Sequence, residues 1–412
     1  MLKRLIAIAF IYLCTTVAWA VLGSTVLFRT TSQDNKLKGE VGQLWGSKQV
    51  QRAPIVYYET QREVETKKIE GDKVVSNIER QCVRTPVPLR SSDIHVNLSL
   101  QHRRKGLLWY STYTVKFVGR YILANDTSQE REFIFDYAFP AKGAVYDGFQ
   151  LAVGGQPMDK LDLASGDMRR AIRLTPGQQE QVEVRYQSQG MDQWWYDFGS
   201  SVTQVKDFLL VMQTDFDQID FPQNSIAPVE RSRLNQGWEL KWRYSNLLTG
   251  VQIGMELPHR LNPGPWVSQV TFSAPVALFL FFFLLFILSS LKEIRIHPMN
   301  YFFLGAAFFS FHLLLAYLVD HVSIGAAFAM GSAVSIGLVV SYMRLVTDSR
   351  FAYREIAISQ FVYLVLFSYS FFFEGYTGLA ITMLCVVTLF VVMQLTGKMD
   401  WDMTFSKQRK TT

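Results

Sequence analysis

Five long apolar runs fill the last third of the chain, at about 271–291, 301–319, 323–343, 356–373 and 376–396. Each is near the ~20 residues a helix needs to cross ~30 Å of hydrocarbon. A sixth run, Leu5–Phe28, follows Lys3 and Arg4 at the N-terminus. Within it, Ala18-Trp19-Ala20 has the small-residue form of a signal-peptidase site, whose cleavage would release the N-terminus. The apolar run continues well past Ala20, however, and exceeds the ~7–15 residues of a signal core. Its length spans a bilayer, so it reads as an uncleaved signal-anchor.

The region between carries a different period. Trp238, Leu240, Trp242 and Tyr244 alternate with Glu239, Lys241 and Arg243. Ile94, Val96, Leu98 and Leu100 alternate with polar residues, as do Trp109, Ser111, Tyr113, Val115 and Phe117, and Val182, Val184 and Tyr186. Period-2 patterns separated by turn signals such as Gly154-Gly155 and Pro176-Gly177 predict about ten short strands with one buried face. That pattern fits an antiparallel sandwich or barrel. A short helix is expected over about 33–44. Asn262-Pro263-Gly264-Pro265 continues neither helix nor strand and reads as the hinge into the second span. The expected fold is an α+β membrane protein with six transmembrane helices in total. Residues 1–28 are the cytoplasmic N-terminus and signal-anchor, 29–265 a β-rich sandwich-like periplasmic domain, 266–397 a five-helix transmembrane bundle and 398–412 a cytoplasmic tail.

Charge sets the orientation. Lys3 and Arg4, Lys292 and Arg295, Arg344, Arg350 and Arg354, and Lys398, Lys407, Arg409 and Lys410 fall in alternate connections. The turns at Asp320-His321 and Glu374-Gly375 contain no Lys or Arg. The positive-inside rule then puts both termini in the cytoplasm and residues 29–270 outside it. Residues 29–270 hold 30 of the 41 Lys+Arg and 28 of the 35 Asp+Glu. That balance leaves no basic footprint for nucleic acid. Only Cys82 of the three cysteines lies in this region, so no disulfide forms within it and burial alone must hold it together.

Catalytic signatures are absent. The chain has no GxxxxGK loop, no GxGxxG after a strand, no HExxH and no GxSxG. Its six histidines lack metal-ligand spacing, and no metal or cofactor is expected. His312 lies near the middle of the third span, where an ionisable group is costly. A relay from His312 to Asp320 or His321 is one reading; a neutral His312 bonded to a neighbouring helix is the plainer one. In the fourth span, Gly325, Ala329, Ala333 and Gly337 form a row of small residues suited to close helix packing, and Ala327, Gly331 and Ser335 form a second. Asp215, Asp217 and Asp220 lack the spacing and glycine of a calcium loop and read as a solvated turn. Trp194-Trp195-Tyr196 reads as aromatic packing at a sheet end, with contact to the membrane interface or to a ligand as the alternative.

Several local patterns resemble the CreD family of bacterial inner-membrane proteins. Trp45-Gly46-Ser47-Lys48-Gln49 followed by Pro54 is similar to that family's WGxxQ…P entry into the first strand. Arg295-Ile296-His297-Pro298-Met299-Asn300-Tyr301 resembles its R-x-H-P-[M/L]-x-Y motif, and Asp320-His321 its acidic-His turn. Leu395-Thr396 with Asp400-Trp401 resembles its closing LTR-x-x-D-W pattern, with Gly397 in place of the arginine. The chain departs from the family at Ser289, which stands where the pattern has a glutamate. The resemblance implies a role in envelope integrity or stress tolerance and no defined reaction. His297 and Asp400 both emerge on the inner face, where Lys292 and Arg295 can reach lipid phosphates and Trp401 can anchor at the surface; two readings stay open, a meeting of His297 with Asp400 there, or a helix start and an interfacial anchor with no partner.

The expectation is a non-enzymatic inner-membrane protein whose periplasmic domain binds or braces an unknown ligand or envelope protein. Its other partner is the lipid bilayer. Two alternatives stay open. One is a transporter or lipid-handling protein with His312, Asp320 and His321 on its pathway. The other is a signalling partner of a two-component kinase.

Overall fold

The computed structural model describes residues 2–397 apart from 71–72, 159–161, 165–166, 200–202 and 374. Glu374, Asp400 and Trp401 lie outside the described residues. The chain divides into two compact units, one comprising the first helix up to Lys36 with the chain from Leu261 onward, the other Leu37–Arg260.

Among the described residues, six helices are long and apolar enough to cross a bilayer. They are α1 (Leu2–Trp45), α2 (Pro263–Leu291), α3 (Pro298–Leu318), α4 (Ile324–Val346), α5 (Ser349–Phe372) and α6 (Thr377–Thr396). The helix expected over 33–44 is not separate. The polar segment after Phe28 continues the first helix, and α1 runs on through Gly39 and Gly42 to Trp45. Prolines open α2 and α3 at the first helical position, where a missing N–H costs nothing. Ser323 caps α4 and Asp348 caps α5 by accepting from backbone N–H groups. α5 differs from the regular helix its sequence suggests. It contains two stretches of wider π turns, Ala352–Ile356 and Phe361–Leu366, a departure common at functional sites.

The small residues of α4 pack differently from expectation. Gly325, Ala329, Ala333 and Gly337 are exposed, and no heavy atom outside their own surroundings lies within 4 Å of a side chain built at Gly325 or Gly337. The second row does the packing. Ala327, Gly331 and Ser335 are buried, and Phe311 of α3 closes to 3.2 Å of a Cβ placed on Gly331. Rows two residues apart face opposite sides of a helix. Both can accept a close neighbour, and the rings of α3 select one.

Among the described residues the β-rich unit contains sixteen strands: β1 (Gln49–Arg52), β2 (Ile55–Glu70), β3 (Lys73–Val87), β4 (Ser91–Lys105), β5 (Leu108–Ala124), β6 (Arg131–Ala138), β7 (Tyr146–Val153), β8 (Gln156–Pro157), β9 (Asp162–Ala164), β10 (Asp167–Leu174), β11 (Gln179–Met191), β12 (Gln193–Asp197), β13 (Thr203–Thr214), β14 (Glu230–Arg233), β15 (Trp238–Thr249) and β16 (Ile253–Glu256). An eight-stranded sheet runs β14-β15-β13-β4-β5-β11-β7-β8, a five-stranded sheet β3-β2-β6-β10-β9 and a three-stranded sheet β1-β12-β16. All three contribute to one hydrophobic core, through Val96, Phe117 and Val184, Phe133 and Phe135, and Trp194 and Met255 respectively. The antiparallel expectation needs one correction: β1 pairs with β12 and β4 with β13 in parallel. Parallel neighbours need a long connection, and each of these pairs has one.

Alternation places the expected faces inward. Ile94, Val96 and Leu98 are buried, as are Tyr113, Val115 and Phe117, Val182, Val184 and Tyr186, and Leu240 and Trp242. Trp194, Trp195 and Tyr196 form β12, buried against β1 and β16. A satellite cluster of Val41, Leu108, Tyr110 and Met191 seats the last turns of α1 on the start of β5.

Candidate functional site

Two places gather polar groups, and each lies within one unit. In the β-rich unit, the Trp45–Gln49 stretch turns the chain from α1 into β1. Gly46 has φ +92, a conformation that glycine tolerates and L side chains rarely adopt. A Cβ there would lie 2.0 Å from the Gln189 carbonyl oxygen. The absent side chain lets β1 slide beneath the end of β11. Gln49 is fully buried there, and its Nε2 donates to Ser188 Oγ at 2.8 Å and to the Gln189 carbonyl at 2.7 Å. The Arg103 guanidinium lies over the Trp45 ring, 5.2 Å from its centroid. Pro54, the last residue of the motif, is buried between β1 and β2.

Two residues on, Gln51 is the hub of a buried network. Its Oε1 accepts from the hydroxyls of Tyr137 and Tyr186, both at 2.8 Å, and its Nε2 donates to the Arg52 carbonyl at 2.8 Å. Burial pushes both phenols well above their ordinary range, so they stay protonated donors at physiological pH.

Above this network opens a cleft of about 790 Å³. The end of α1, the 142–143 loop, the β11–β12 turn and the segment after β16 line it. Its charged groups are Lys38, Lys48, Lys142, Asp192 and Glu256, with His259 beside them. Lys38 pairs with Asp192 at 2.7 Å, and His259 Nε2 lies 3.6 Å from Glu256. Lys48 extends over the Trp195 ring, 4.7 Å from its centroid. Lys142 is exposed on its loop. Asp192 holds φ +65, so the turn that carries its carboxylate is strained. The cleft therefore offers ammonium groups and carboxylates to one ligand.

The helical unit gathers its polar groups in its interior. His312 is 1% exposed, with its ring against Trp19, Phe308 and Phe311 at centroid separations of 5.6, 6.1 and 4.8 Å. Its Nδ1 lies 3.3 Å from the Phe308 carbonyl of its own helix. That contact favours N–H on Nδ1 and leaves Nε2 an acceptor. Asp320 turns away from it: Arg29 of α1 meets Asp320 at 3.1 Å and reaches the Ala316 carbonyl at 3.4 Å. His321 is exposed in the following turn. The three residues of the expected relay are thus not brought together. The reason is α1, whose extra length supplies an arginine to the carboxylate. Deeper in the unit, Gln360, fully buried between the π stretches of α5, donates to Ser335 Oγ at 2.9 Å. Ser335 in turn donates to the Ala307 carbonyl at 2.6 Å.

The Arg295–Tyr301 motif builds a helix start. His297 is the N-cap of α3, its Nδ1 accepting from Met299 N at 3.2 Å, and Pro298 follows at the first helical position. Tyr301 is buried against Phe282, 5.2 Å between centroids. The His297–Asp400 meeting falls outside the described residues. Asp215, Asp217 and Asp220 have separate partners in Leu100 N, Arg233 and Phe221 N. Among the described residues no group of three His, Cys, Asp or Glu is placed to hold a metal.

Sequence reasoning missed Gln51, Gln360, Arg29 and most of the cleft lining. Gln49 and Gln51 do carry a signal: two amides at period 2 on the inward face of a strand. It is indistinguishable in sequence from a solvated face. The cleft residues come from four separate segments, so no local pattern unites them.

Among known proteins, the family model described as inner membrane protein CreD matches residues 210–402. No curated protein matches. A Legionella pneumophila crystal structure, provisionally named as a nutrient binding protein, is similar at 9% identity and a TM-score of 0.30, over 47% of this chain and 73% of its own. The M1 zinc metallopeptidase of Deinococcus radiodurans is similar at 8% identity and a TM-score of 0.24, over 75% and 89%. Similarity at that level assigns neither fold nor function. The family match covers α2 to α6 and leaves most of the cleft lining outside it. Residues 210–402 thus match the family of inner membrane proteins CreD, and the described residues carry six helices long and apolar enough to cross a membrane beside a β-rich unit.

Proposed function

We propose that the chain is a non-enzymatic component of the bacterial envelope. Its β-rich unit faces the periplasm and takes an envelope ligand in the cleft around Lys48, Lys142 and Asp192, and its helices anchor that unit. The observation that carries this reading is the enclosure of His312 by Trp19, Phe308 and Phe311, away from Asp320. A proton or ion pathway needs polar neighbours and water at membrane depth. His312 has rings around it instead, whereas the β-rich unit opens a charged cleft to solvent.

Complementation of a deletion strain tests the reading. Loss of the gene should alter survival under detergents or cell-wall antibiotics. Wild type and His312→Gln should both restore it. Lys48→Glu/Lys142→Glu, two exposed changes that reverse charge in the cleft, should not restore it while reaching the membrane at normal levels. An unaltered deletion strain would remove the envelope role. Loss of rescue by His312→Gln at normal abundance would favour a pathway through the helices.

A further inference from the structure

At the start of α5 lies a basic cleft that the proposed function does not use. It measures about 750 Å³ and is lined by Asp348, Ser349, Arg350, Tyr353, Arg354 and Ile358. Arg350 and Arg354 are exposed one turn apart on the same side of the helix. Arg344, at the end of α4, donates Nη1 to the Tyr353 hydroxyl at 3.3 Å, which draws a third guanidinium to the same place. The nearby acids are engaged. Asp348 accepts from the backbone N–H of Arg350 at 3.1 Å, and Glu355 is ion-paired with Lys292. Among the described residues, no carboxylate pairs with the side chains of Arg344, Arg350 or Arg354.

The same face of the helix then becomes apolar. Ile358 is 57% exposed and Phe361 46%, each about a turn beyond the last. Three guanidinium groups repel one another and present forked donors that match phosphate oxygens. A soluble anion would use the arginines alone. Only a molecule with an anionic head and an apolar tail engages both halves of the stripe, and basic pockets at the ends of membrane helices suit such headgroups. We propose that Arg344, Arg350 and Arg354 hold the phosphate of one anionic phospholipid, whose acyl chain lies along Ile358 and Phe361.

Native mass spectrometry of the full-length protein in detergent, titrated with phosphatidylglycerol or with phosphatidylcholine of the same chains, tests this. Wild type should retain phosphatidylglycerol in preference. Arg350→Gln/Arg354→Gln should lower that preference about tenfold or more, since each basic residue near a membrane surface contributes measurably to anionic-lipid binding. Equal retention of the two lipids by wild type, or an unchanged preference in the variant, would overturn the site. Displacement of the lipid by millimolar inorganic phosphate would also overturn it, by showing a free-anion site. A photoreactive phosphatidylglycerol on the wild-type protein gives an answer independent of variant folding. It should label the peptide spanning residues 348–361, and labelling confined to other helices would contradict the proposal.

Discussion

Gly46→Ala should destabilise the β-rich unit by roughly 3 kcal/mol or more, by the usual cost of a non-glycine residue held in strained backbone plus the clash it adds. The added methyl would meet backbone, with the Gln189 carbonyl oxygen at 2.0 Å and its carbon at 2.6 Å. No side chain can swing aside to relieve it. Either β1 lifts from β11 or the turn changes conformation. Both break the two hydrogen bonds of Gln49 and the contact of Met191 N with the Ser47 carbonyl at 3.3 Å. Gly39→Ala is the control. It lies in the exposed part of α1 with nothing within 4 Å of its Cβ, and should stabilise by about 0.5–1 kcal/mol through helix propensity. Denaturant unfolding followed by tryptophan emission separates the two. Gly46→Ala unfolding with the wild-type midpoint would contradict the packing described.

Gln51→Leu should cost about 2–6 kcal/mol, since it takes the shared acceptor from two buried hydroxyls at about 1–3 kcal/mol each. Gln51 Oε1 is the acceptor that Tyr137 and Tyr186 share, the two hydroxyls also interact with each other, and both rings are buried. The effect is specific to the unmet donors. Adding Tyr137→Phe and Tyr186→Phe to Gln51→Leu should therefore recover much of the loss, because removing both ends of a buried hydrogen bond is far milder than removing one. A cycle built from these variants, read from urea midpoints, measures the coupling. Additive losses would mean that Gln51 acts through packing alone.

Much of the architecture was legible because membranes and sheets impose strong periods. Runs of about twenty apolar residues marked the helices, and alternation in β4, β5, β11 and β15 marked their inward faces. What stayed hidden has a common physical origin. The part of α1 beyond Phe28 is a polar segment, which hydropathy does not register. Asp320 paired with Arg29 because α1 brought a charge from far away in sequence. In α4, two small rows were equally fit to pack, and only the rings of α3 decided between them. The π stretches around Gln360 leave no mark in an apolar run. The WGxxQ motif was visible, but its meaning lay in its partner: a carbonyl of β11 with no room for a methyl group above it.

The account rests on the β-rich unit and the arginine-bearing connection before α5 lying on opposite sides of the membrane. Paired reporter fusions measure this most directly. An alkaline phosphatase fusion in the exposed 142–145 loop should be active and a fluorescent-protein fusion there dark, with the reverse pattern for fusions at residue 348. The same reporter active at both positions would contradict it.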